Sequence, residues 1–203
     1  MSTALRKRVA PPAVAQGAKR PRFRREMIVA AAGRLFHERG YRGTSLEDIG
    51  TAVGMTGPAI YRHFASKEAI LAELVARSFE RAERDVFGAI RGARTPREGL
   101  AEIVRRTVVH AIEETDLVAL AEREGRNLSP DLRKRIGRSQ RVIFEAWIDA
   151  LRAVRPRLVP EAARATVRAV IALILAVRWA EALDRDAATA HFTRMAMAAL
   201  LAE

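Results

Sequence analysis

Residues 44 to 71, TSLEDIGTAVGMTGPAIYRHFASKEAIL, hold two short helical patterns that pivot on a single glycine. Thr44 is placed to cap the first, with Glu47 three residues on to close a capping box. Leu46, Ile49 and Val53 share one face of that helix. Gly54 stands where the chain must turn, because a residue without a Cβ takes positive φ at little cost. Met55 is positioned to plug the corner, Thr56 to cap the second helix, and Pro58 to sit in its first turn, where a missing N–H costs nothing. The second helix is expected from Gly57 to His63, and Ser66 caps a third that starts at Lys67. This is how a helix-turn-helix is written in sequence.

The rest of the chain repeats the helical period. Ile28, Ala31, Ala32, Leu35 and Phe36 form one stripe of a helix that begins near Arg22 and stops at Gly40. A long helix from Lys67 to about Ile90 carries Leu71, Leu74, Val75, Ala82 and Val86, and reaches out of its own module. Thr95, Pro96 and Glu98 start the next helix, striped by Leu100, Ile103, Val104, Thr107, Ala111 and Ile112. A short helix around Leu117 to Glu124 precedes another that opens at Ser129, Pro130 and Asp131 and buries Ile136, Ile143, Phe144, Trp147, Ile148 and Leu151. Pro160 opens a helix that is apolar nearly all round from Ala169 to Val177, and Asp184 caps the last one. No segment alternates with period two. The chain is therefore expected to be all-α, with about nine helices: a flexible basic arm over 1–21, a helix-turn-helix module over 22–70 and a helical domain over 71–203. Ala187, Ala188, Ala190, Ala196, Ala198 and Ala199 crowd the last helix, and with its apolar neighbour they suggest a homodimer seam built as a four-helix bundle.

Charge narrows the partner. The formal net charge is +12, and Arg6, Lys7, Arg8, Lys19, Arg20, Arg22, Arg24 and Arg25 all precede the first acidic residue, Glu26. A basic arm beside a helix-turn-helix points to double-stranded DNA, since each neutralised phosphate releases condensed counterions. Pro11, Pro12 and Gly17 break any amphipathic helix that would lay the arm on a membrane. The longest apolar run, 169–177, falls far short of the roughly 20 residues that span a bilayer. The opening residues lack an apolar signal core, so a cytoplasmic protein is expected. Cysteine is absent, which removes disulfides, thiolate metal sites and cysteine nucleophiles. His37, His63, His110 and His191 are scattered without metal-ligand spacing, and there is no Gly-rich phosphate loop or nucleophile elbow. No catalytic residue, metal or cofactor is expected, and the protein is not read as an enzyme.

The segment IVAAAGRLFHERGYRGTSLEDIGTAVGMTGPAIYRHFASKEAILAEL, Ile28 to Leu74, closely resembles the DNA-binding domain of TetR/AcrR-family transcriptional regulators. The resemblance implies an all-α homodimer that binds a palindromic operator, usually as a repressor, and releases it when a small molecule enters a C-terminal pocket. Gly50 and Val53 stand where the family usually has Ala, and Gly57 where a Lys is frequent.

The helix from Gly57 should enter the major groove, with Gly57, Pro58, Tyr61 and Arg62 facing bases or the groove wall. By resemblance Tyr61, Lys67 and Thr44 hold phosphates. Ser45 and Thr56 complete the expected DNA-binding set, and His63 is either a phosphate donor or a packing residue. Ala59, Ile60 and Phe64 belong to the core. Candidate ligand-wall residues are Ile103, Thr107, His110, Leu120, Phe144, Trp147 and Trp179, with Arg123 or Arg178 to meet an anionic head group. Such a wall suits a fatty acyl or other hydrophobic acid. Ligand entry would bias the long fourth helix and shift the paired recognition helices away from about 34 Å, one turn of DNA. The alternative is a DNA-binding regulator with no small-molecule ligand, controlled by a protein partner.

Overall fold

A computed structural model describes residues 19–114, 117, 129–180 and 182–202. Eight α-helices and no strand lie among the described residues: α1 (Lys19–Arg39), α2 (Leu46–Ala52), α3 (Gly57–Tyr61), α4 (Lys67–Gly92), α5 (Pro96–Glu113), α6 (Pro130–Val154), α7 (Pro160–Leu175) and α8 (Arg185–Leu201). The short helix expected around Leu117 to Glu124 lies almost wholly outside those residues. No helix among them is long and apolar enough to cross a membrane.

Most boundaries follow from caps. Thr95, Ser129 and Asp184 each accept a hydrogen bond from the backbone N–H three residues on, at Glu98, Leu132 and Ala187. Pro96, Pro130 and Pro160 occupy first turns, where the proline N lacks only a hydrogen that would have no partner. Gly40 ends α1 at φ 73°. Two boundaries differ from expectation. The first helix starts at Lys19 rather than Arg22, with Pro21 tolerated in its first turn. The apolar run 169–177 is not one helix, because α7 stops at Leu175 and the chain tightens into a 3-10 turn, Ala176–Trp179.

Two apolar clusters hold the molecule together. The first joins Ile28, Leu35, Phe36, Ile49, Ile60, Phe64, Ile70 and Leu71 of α1 to α4 and the turns between them. The second is centred on Leu100, Ile103, Trp147, Leu151, Ile174 and Leu200. Each fully buried side chain of this size contributes about 1.5–3 kcal/mol. The fourth helix belongs to both clusters, with Val75 in the first and Val86 and Ala89 in the second. Its 26 residues make a rod of about 39 Å that runs from one core into the other. Ile136 of α6 also reaches into the first cluster, so a second helix ties the two units.

Candidate nucleic-acid interface

The turn of the helix pair is built as a tight corner. Gly54 has φ 66°, and the N–H groups of Val53 and Met55 both donate to the Gly50 carbonyl, at 3.1 and 2.8 Å. A Cβ at Gly50 would lie 3.1 Å from the Met55 oxygen, so the missing methyl lets the corner close rather than loosening it. Met55 packs against the first core, as expected of a plug.

The cap of α2 is Ser45, not Thr44. Ser45 Oγ accepts from the Asp48 N–H at 3.0 Å, and Asp48 Oδ2 accepts from the Ser45 N–H at 2.8 Å, a complete capping box. The Ser45 side-chain and backbone donors hold the Asp48 carboxyl below its ordinary range. Glu47 is exposed and outside the box. Thr44 is 1 % exposed, and its hydroxyl faces the carbonyls of Gly40 (2.9 Å) and Leu35 (3.2 Å). Its side chain is therefore a buried tie to α1 and unavailable to a phosphate.

Ile60 of α3 and Phe64, just beyond its end, are buried at 0 % and 2 % exposure. They press the short helix onto the core, which leaves Thr56, Pro58, Tyr61 and Arg62 on the outside. Tyr61 is 51 % exposed. Thr56 sits at the N-cap position, but its side chain makes no capping hydrogen bond. The helix ends at Tyr61, two residues short of expectation, and His63 lies half-buried in the turn beyond. The His63 carbonyl accepts from Arg25 Nη1 at 2.7 Å, while the Arg25 guanidinium lies 3.9 Å from the Phe64 ring centre. Arg25 thus fixes the outgoing end of α3 to α1, a role that the sequence reading missed.

Lys67 is also committed to structure. Its ammonium donates to the carbonyls of Tyr41 and Thr44, both at 2.8 Å, and sits 4.3 Å from the Tyr41 ring centre. Two of its three N–H groups clamp the approach to α2.

Among the described residues, the expected ligand-wall set is divided between core, surface and two small clefts. Ile103 and Trp147 are fully buried in the second core, whereas Trp179 is 75 % exposed. Thr107 and Phe144 are half-buried, and the Arg168 guanidinium lies 5.4 Å from the Phe144 ring centre. Leu120 and Arg123 lie outside the described residues. Two small clefts stand instead. One, of about 230 Å³, lies between α5, the 3-10 turn and α8, and contains Arg178. The other, of about 200 Å³, lies between α4 and α5 and contains His110. The His110 ring shares a hydrogen bond with Ser78 Oγ at 3.1 Å, and burial above all lowers its pKa.

Charged pairs tie α4 to its neighbours. Glu73 faces Arg25 of α1 at 3.6 Å, Arg77 at 3.0 Å and Arg135 of α6 at 3.7 Å. Glu113 of α5 accepts from Arg81 of α4 at 2.5 Å and from Arg185 of α8. Burial pushes the Glu113 carboxyl up, but these two guanidiniums hold it below its ordinary range.

Residues 28–74 match the model of bacterial regulatory proteins of the tetR family. The solved structure of the TetR-family transcriptional regulator PfmR from Thermus thermophilus superimposes with a TM-score of 0.72. The two are 25 % identical, over 85 % of this chain and 96 % of that one. Residues 28–74 are thus a TetR-family DNA-binding segment, set in a fold shared with a TetR-family regulator.

The matched segment contains the whole α2–turn–α3 unit and every candidate DNA contact. The HTH-type transcriptional repressor KstR2 of Rhodococcus jostii strain RHA1 is 38 % identical over 68 residues, which are 34 % of this chain and 31 % of that protein. The chain thus matches about a third of that relative's length. The fold also recurs in AibR, solved in complex with isovaleryl coenzyme A and operator DNA. There the TM-score is 0.69 at 20 % identity, over 86 % of this chain and 96 % of that one.

Proposed function

We propose that this protein is a TetR-family transcriptional repressor that binds a palindromic operator as a homodimer and leaves it when a small apolar effector binds the C-terminal domain. The observation that carries the reading is the face of α3. Pro58 and Tyr61 stand outward on α3, with Arg62 exposed just beyond its end, and the opposite side of the helix is anchored by fully buried Ile60. A short rigid helix with an exposed aromatic hydroxyl and guanidinium suits the major groove, where Arg reads guanine at about 1–3 kcal/mol of discrimination. Thr56, Gly57, His63 and the hydroxyl of Ser45 flank that face. Lys67 retains one free N–H direction for a phosphate beyond its two carbonyls.

The names of the relatives support repression, and AibR is a protein of this fold bound to both DNA and an acyl thioester. The dimer reading draws on outward alanines. Ala165, Ala169 and Ala172 of α7, and Ala187, Ala190 and Ala198 of α8, are exposed, whereas Ala188 and Ala196 fill the protomer's own core. Small exposed residues on two adjacent helices let a second copy approach closely.

Footprinting on the DNA that flanks the protein's own gene tests the reading. A protected two-fold symmetric site whose half-sites lie about 34 Å apart is expected. Absence of any protected segment, there or in a selection from random duplexes, contradicts it.

A further inference from the structure

We propose that the cleft between α5, the 3-10 turn and α8 binds a short-chain carboxylate, whose charge takes Arg185 from Glu113. The walls are apolar, formed by Ile112, Val177, Leu183 and Ala188, and the two charged lining residues are Arg178 and Arg185. Among the described residues no carboxylate lines the space, which favours an anion attached to an apolar body. Size narrows the class further. At about 30 Å³ per water-sized group, 230 Å³ holds roughly seven or eight non-hydrogen groups. A straight or branched acid of about four to six carbons fits; a long fatty acyl chain does not.

The position of Arg185 gives binding a consequence. Glu113 divides its two oxygens between Arg185 of α8 and Arg81 of α4, so one carboxylate joins the cleft to the rod that carries the DNA-binding unit. Arg185 and Arg81 are 58 % and 45 % exposed, and pairs this exposed exchange partners readily. A ligand carboxylate in the cleft competes with Glu113 for the same guanidinium. Released at one end, Glu113 no longer couples α8 to α4. The proposal deepens the effector reading given above, and its regulatory meaning rests on it.

Calorimetric titration of the full-length protein with straight and branched acids of four to six carbons tests the site, with hexanamide as the uncharged match for hexanoate and palmitate as the oversized acid. Hexanoate should bind at least tenfold more tightly than hexanamide, and palmitate should not bind in the cleft. Arg185→Gln should remove the preference for the acid, and Arg185→Lys should restore part of it. Glu113→Gln, which weakens the competitor, should tighten hexanoate binding severalfold. Failure of every acid in the panel to bind, equal affinity for acid and amide, or an unchanged preference in Arg185→Gln overturns the proposal. Operator binding by the ligand-free protein is read separately: its absence sinks the regulator reading, whereas a missing acid preference sinks only the cleft.

Discussion

Arg25 reaches from α1 to the carbonyl of His63, 2.7 Å away, and so holds the outgoing end of α3. The same guanidinium faces Glu73, which also meets Arg135 of α6. Arg25→Met keeps an apolar stem over Phe64 but removes the donor. Operator affinity should fall about tenfold, equivalent to ~1.4 kcal/mol, while the slope of log affinity against log salt stays unchanged. A slope reduced by about one would mean that Arg25 neutralises a phosphate instead of positioning α3.

The capping box gives a sharp contrast between neighbours. Ser45→Ala should cost about 1 kcal/mol in urea unfolding, and Glu47→Ala should stay within about 0.5 kcal/mol. The reverse order would return the cap to Thr44 and Glu47.

Trp147 and Trp179 separate core from surface. Trp147 is fully buried in the second core, so Trp147→Ala should destabilise by about 3–5 kcal/mol. Trp179→Ala, at a side chain 75 % exposed, should leave the denaturant midpoint of the monomer nearly unmoved. Equal effects in the two variants would contradict the packing described.

Much of this was legible in the sequence, and the failures are physically specific. Gly54, Ser66, Thr95 and Asp184 announce themselves because turns and caps are local, and the all-α class follows from the period of the apolar residues. The shift from Thr44 to Ser45 arose because both Thr44 with Glu47 and Ser45 with Asp48 satisfy the same spacing; burial of Thr44 against the Gly40 and Leu35 carbonyls decides it. Ile103 and Trp147 sit on the expected inward faces, but periodicity says which face is inward and nothing of whether it packs or lines a cavity. The Arg81–Glu113–Arg185 bridge joins residues 32 and 72 positions apart, beyond any helical spacing.

Glu102 makes stability depend on acid. Hydrogen bonds from Arg105 first, then from Arg106, outweigh the burial that raises it and bring its pKa from 4.5 to about 2. The folded value lies below the unfolded one, so this stabilisation is fully present above 4.5 and is lost as pH falls toward 2. The carboxylate is partly exposed, and its worth after screening is about 1 kcal/mol. Glu102→Gln should lose that amount at neutral pH and flatten the stability profile across this window, measured as urea midpoint against pH. An unaltered profile would mean that the Arg105 and Arg106 contacts do not persist in solution.

The most direct test of the account is the affinity of Tyr61→Ala for the operator, measured by fluorescence anisotropy beside its sedimentation behaviour. Tyr61 stands 51 % exposed on α3 and contributes nothing to the buried core. Operator binding should weaken at least a hundredfold while the sedimentation coefficient and unfolding midpoint match those of the unsubstituted protein. Wild-type affinity in Tyr61→Ala would contradict the docking of α3 in the major groove.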